Sequence, residues 1–162
     1  MSCDAAALAL SLHFAAYEPT LGGAPRLMPI STAAAPMSPL AKEPMFADIV
    51  KQASALERQV DAWRTAPPAA PSPAFEAKLV QLSTADMAGH LELAKRGTDG
   101  DLKCILRGIS QDLPKKLAAL KQAPTLPERK TAAAELYFLL RDNVEVVTTP
   151  AKVTSADVAS AS

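Results

Sequence analysis

ERKTAAAELYFLLRDNVEVV, residues 128–147, is the stretch whose periodicity decides the fold class. Ala133, Leu136, Leu140, Val144 and Val147 recur at intervals of three and four residues, which places them on one face of an α-helix, and Tyr137 and Phe138 widen that face. The helix begins after Pro124 and Pro127. Its far end, Val144-Glu145-Val146-Val147-Thr148-Thr149, is rich in β-branched residues and has an extended conformation as its alternative.

The same periodicity continues toward the N-terminus. A helix from Leu102 carries Ile105, Leu106 and Ile109, and Leu113-Pro114 is expected to interrupt it, because proline inside a helix lacks the amide donor. Leu117 and Leu120 then belong to a successor helix starting near Asp112, with Pro114 in its first turn. An earlier helix starts near Ser72 with Pro73 at the first helical position and buries Phe75, Leu79 and Leu82. Ser83 or Thr84 with Asp86 resembles a fresh N-terminus, so Ala85 to Arg96 either continues that helix or forms a separate one with Met87, Leu91 and Ala94, stopped by Gly97.

The first helix spans Phe46 to Arg64, with Phe46, Ile49, Val50, Ala53, Leu56, Val60 and Trp63 as its apolar stripe. Asp48, Lys51, Glu57, Arg58 and Asp61 fall opposite. A stiff linker with four prolines, residues 66–73, ends it, and two geometries follow: the helix lies on its successors or swings out as a partner-binding arm. Short helices with short connections pack best as antiparallel neighbours, so the expected fold is all-α, a small up-and-down bundle of four to five short helices. The helical domain is placed at 45–147, between an Ala/Pro-rich segment 1–44 and a tail 148–162 that both read as disordered. Met28, Met37 and Met45 are alternative starts, and a start at Met45 with a dispensable upstream stretch is the hypothesis that follows.

Composition excludes several functions. Seventeen Lys and Arg balance seventeen Asp and Glu, so no bulk field draws a polyanion or an anionic membrane to the surface. Ala5 to Ala16 has the length of a signal-peptide core, but no basic residue precedes it, and Asp4 and His13 argue against secretion. No run reaches the roughly 20 apolar residues a membrane span needs. Two cysteines, Cys3 and Cys104, are too few for a disulfide framework, which points to a reducing cytoplasm with Cys104 as a small core residue. Two histidines and two cysteines in unrelated segments supply no metal site, no cofactor motif is present, and no carboxylate pair stands out for catalysis.

Three groups of residues remain as site candidates. His90, in Gly89-His90-Leu91, resembles the histidine of a histidine phosphotransfer domain; that resemblance implies a phosphoryl carrier, although Glu92 and Leu93 depart from the pattern and leave Lys95 or Arg96 as the cationic partner. Leu106-Arg107-Gly108-Ile109-Ser110-Gln111 has the turn pattern of helix-turn-helix readers, spoiled by Pro114, beside a basic face of Lys103, Arg107, Lys115, Lys116 and Lys121 that Asp101 and Asp112 balance. Trp63 and Arg64 form either an end-plug of the core or an anchor for another protein, since tryptophan and arginine are common in interface hot spots. The expected function is a non-enzymatic adaptor or regulator that binds another protein through Trp63, Arg64, Leu136, Tyr137 and Leu140. The alternatives are the His90 carrier and a nucleic-acid-binding regulator, nucleic acid being the less expected partner. Apolar helix faces also favour self-association into a homo-oligomer.

Overall fold

A computed structural model describes residues 37–97 and 100–149. Four helices follow one another there: α1 Pro44–Trp63, α2 Pro73–Arg96, α3 Gly100–Gln122 and α4 Leu126–Thr148. Each packs on the next and α4 closes on α1, so α1 lies diagonally across from α3, and α2 from α4. This is the all-α up-and-down bundle that the apolar spacing predicts. No helix among the described residues is long and apolar enough to cross a membrane.

The helix ends follow local chemistry. Ser72 accepts a hydrogen bond from the Phe75 amide at 3.2 Å and Pro73 opens α2, while Gly97, at φ 69°, closes it in the left-handed conformation. Thr125 and Glu128 form a reciprocal capping box at the start of α4, and the bonds from Thr125 hold the Glu128 carboxyl below its usual range. Arg129 donates to the Pro124 carbonyl at 3.1 Å, which fastens the α3–α4 turn.

The core is aliphatic, as expected from the scarcity of aromatics. Ile49, Leu56, Leu79, Leu82, Leu106, Leu113 and Leu120 are buried in it beside Phe46 and Phe75. Gly89 sits where a Cβ would meet Ile49 Cδ1 at 3.2 Å and both Leu106 Cδ1 and Phe46 Cε1 at 3.3 Å, so its bare backbone makes room for side chains from α1 and α3. The first helix lies on its successors, because Trp63 stacks at 4.5 Å on Phe75 and Pro71 of the linker is buried.

The structure corrects two boundaries and decides two others between open alternatives. Pro114 does not divide α3, which runs unbroken through it. The amide that Pro114 lacks would have bonded the Ser110 carbonyl, and the Ser83 hydroxyl donates to that carbonyl instead at 2.7 Å. Ser83 and Asp86 therefore mark no new N-terminus; α2 is continuous around them. The β-branched end of α4 stays helical to Thr148 rather than turning extended. Residues 37–43, placed by sequence in a disordered segment, carry a single 3-10 turn, Pro39–Lys42, whose Leu40 packs on the core, and the Ser38 amide donates to the Thr148 carbonyl at 2.8 Å. The remaining parts of both terminal segments, residues 1–36 and 150–162, lie outside the described residues.

Helices α2 and α3 are held in register by three polar links. His90 Nδ1 meets the Lys103 carbonyl at 2.7 Å, Ser83 meets Ser110, and Lys121 Nζ meets Glu76 Oε2 at 2.8 Å. Positions 76, 83 and 90 are separated by two helical turns each, so they share one flank of α2. Cys104 is half-buried on α3 and is disulfide-bonded rather than the core thiol expected; Cys3 lies outside the described residues.

Two outcomes are expected from this arrangement. Ser83→Ala should cost about 1–2 kcal/mol by stranding the Ser110 carbonyl, and much less when Pro114→Ala restores the helical donor, which a denaturation double-mutant cycle measures. A chain beginning at Met45 should be less stable than one beginning at Met37 by about 2 kcal/mol, since it loses the Leu40 packing and the Ser38 bond.

Candidate functional site

A cluster of arginine and aromatic side chains lies where the end of α1 meets α4. Arg64 follows the last residue of α1, and its guanidinium stands 4.5 Å from the centre of the Tyr137 ring and 5.8 Å from that of Phe138. Arg141, three residues after Phe138 on α4, covers the Phe138 ring at 5.0 Å. The two rings meet edge-on at 5.5 Å. Phe138 keeps 44% of its surface exposed although it is flanked by two planar cations. Stacking of this kind contributes about 0.5–1 kcal/mol per contact at exposed positions and orders side chains that would otherwise move freely.

The expected contact residues divide between this face and the interior. Arg64 and Tyr137 lie on the face, whereas Trp63 is half-buried against Phe75 of α2. Leu136 and Leu140, named with them from the sequence, are fully buried. They belong to the stripe that α4 turns into the core, and a stripe at helical spacing marks the buried side, whereas a contact surface lies on its flank. Phe138 and Arg141, which sequence reasoning left out of the site, take their place. The available signal was an arginine three residues beyond an aromatic, the spacing that stacks side chains on one helix surface.

Other candidates fare differently. The stretch Leu106 to Gln111 contains no turn and runs within α3, so the helix-turn-helix pattern is not realised. On the basic face, Lys115 pairs with Asp112 at 2.7 Å, Lys116 with Glu135 at 2.9 Å and Lys121 with Glu76 at 2.8 Å, which leaves Lys103 and Arg107 as a small remainder. His90 is half-buried, and its Nδ1 donates to the Lys103 carbonyl, which can only accept, leaving Nε2 as the ring nitrogen not engaged by that carbonyl. Its expected cationic helper Arg96 is held by Glu43 at 2.8 Å and Glu92 at 3.0 Å, and the Arg96 bond keeps the Glu43 carboxyl below its usual range. Among the described residues no group of three or more His, Cys, Asp or Glu is placed to hold a metal. An open groove of about 290 Å³ between α1 and α2 is lined by Asp48, Lys51, Gln52, Gln59, Lys78 and Gln81, a mixed polar surface with no convergent charge.

One polar pair is buried outright. Asp86 of α2 and Asn143 of α4 are both 0% exposed, and Asn143 Nδ2 donates to Asp86 Oδ2 at 2.8 Å. Burial pushes the Asp86 carboxyl up from 3.8 to about 7, with the Asn143 bond opposing part of that shift. Neither residue stood out in the sequence as a pair, because 57 positions separate them.

Comparison with protein-family models, with curated proteins and with solved structures finds no match, so a functional reading rests on the residues of this chain.

The division between face and core has a direct check by thermal unfolding. Leu136→Asp should abolish cooperative folding by placing a charge in the core, whereas Phe138→Asp should keep the fold and change stability by no more than about 1 kcal/mol.

Proposed function

We propose that this chain is a non-enzymatic helical adaptor that binds another protein on the α1–α4 face formed by Arg64, Tyr137, Phe138 and Arg141. The observation that carries the reading is the exposed Phe138 ring with the Arg141 guanidinium at 5.0 Å and the Arg64 guanidinium at 5.8 Å from its centre. Aromatic and arginine side chains supply most interface hot spots, and here their conformations are ordered before a partner arrives, which reduces the entropy lost on binding. Covering a phenylalanine completes the burial that the fold leaves unfinished, a gain on the order of 1 kcal/mol from half of its side chain.

Charge plays the smaller part in this reading. Arg64 is bonded to Asp61 at 2.9 Å and Arg141 lies 3.9 Å from Asp142, so the face carries matched pairs and selects by shape and apolar contact. A second copy of this chain is included among the proteins that such a face accepts. The proposal carries no compartment, since a disulfide at Cys104 removes the cysteine-count argument for a reducing cytoplasm. A phosphoryl carrier remains the second reading, favoured by the Nδ1 bond of His90, which leaves Nε2 as the ring nitrogen not engaged by the Lys103 carbonyl. The nucleic-acid reading has less support, because three of its five cations are already paired.

The test uses the full chain, its Phe138→Asp variant, and Lys51→Glu on the α1–α2 groove as a control, each as bait with quantitative mass spectrometry. The expected result is one protein recovered near 1:1 by the parent and the control and reduced at least about tenfold by Phe138→Asp. Equal recovery by all three, or recovery of nothing, overturns the proposal.

A further inference from the structure

The Asp86–Asn143 pair has a defect that a single proton repairs. Besides the bonded Nδ2 and Oδ2, the pair has two more oxygens, Asp86 Oδ1 and Asn143 Oδ1, and both are buried without a partner. Both are acceptors when Asp86 is ionised, and two acceptors cannot satisfy one another. A proton on Asp86 Oδ1 supplies a donor that an oxygen such as Asn143 Oδ1 can accept, and with the existing Nδ2 bond the two would form the two-bond ring that carboxylic acids make with primary amides.

The surroundings contain no alternative charge to stabilise the anion. Helix α1 turns Phe46, Ile49, Ala53, Leu56 and Val60 inward, and every buried residue of α4 other than Asn143 is apolar. The buried positions of α3 are apolar except for Ser110, whose hydroxyl donates to the Arg107 carbonyl at 2.8 Å. His90, one turn along α2 and half-buried, is the nearest titratable side chain in sequence, and its Nδ1 is committed to the Lys103 carbonyl of α3. Asp86 is the one buried ionisable side chain among the described residues.

We propose that Asp86 enters the folded bundle as the neutral acid and, with Asn143, forms a proton-operated latch between the diagonal helices α2 and α4. With the proton in place, all four polar positions of the pair are bonded; when it leaves, a buried anion retains one hydrogen bond and the latch loosens. The sign of the pH effect follows. An acid whose ionisation is pushed from 3.8 to about 7 by folding binds more protons in the folded state between those values, so stability falls as pH rises through that window and levels off above it.

Two measurements on the full chain decide the matter. In denaturant titrations from about pH 5 to about pH 8, the folding constant of the parent should fall by up to about tenfold per pH unit below pH 7 relative to Asp86→Asn, whose amide donates to Asn143 at any pH. In a carbon-13 NMR titration of the parent, the Asp86 carboxyl signal should move with a midpoint near 7. A midpoint in the ordinary carboxylate range, or the same pH slope in parent and Asp86→Asn, overturns the latch; should the variant not fold, the NMR midpoint alone decides.

Discussion

The hydrogen bond from Asn143 to Asp86 crosses the bundle between two helices that are not neighbours, and the arrangement of the other elements depends on it. Aliphatic packing drives collapse but is non-directional, so leucine stripes alone tolerate rotation and sliding of helices. A buried polar pair tolerates neither, since any arrangement that parts the two side chains leaves unsatisfied groups in an apolar medium. The pair thus selects one rotation for α2 and α4 together, and the Ser83 and His90 bonds set the axial position of α3 against α2. Gly89, three residues beyond Asp86, lets Phe46, Ile49 and Leu106 pack against the α2 backbone.

Helical periodicity carried most of this fold, and the exceptions share a cause. The stripes of α1 and α4 were read correctly because burial repeats every three to four residues whatever the partner helix. Pro114 was read as a break because a local rule penalises the lost donor, and the compensating hydroxyl is supplied by Ser83, which is distant in sequence. Ser83 and Asp86 resembled a cap for the same reason: their polar groups serve tertiary partners, Ser110 and Asn143, that no local pattern reveals. In the candidate site, Arg64 and Tyr137 were legible from residue type. Leu136 and Leu140 were misplaced because they belong to the stripe that marks the buried side of α4, whereas Phe138 lies on its flank.

Helix α4 carries both the exposed aromatic face proposed as a contact surface and part of what holds the interior. Phe138 and Arg141 lie outward on it, Leu136 and Leu140 inward, and Asn143 reaches across the core from its next turn. A change in the diagonal pair therefore acts on the same rigid element that displays the aromatic face.

The bond between the Ser38 amide and the Thr148 carbonyl, at 2.8 Å, places the two ends of the described bundle side by side. Topologically the four helices are nearly a closed ring, with the gap between 38 and 148 already bridged as tightly as a turn. The order in which the helices are strung is then separable from the way they pack. A chain re-opened in the proline segment between α1 and α2, and joined across the old ends, would retain every helix-to-helix interface of the parent.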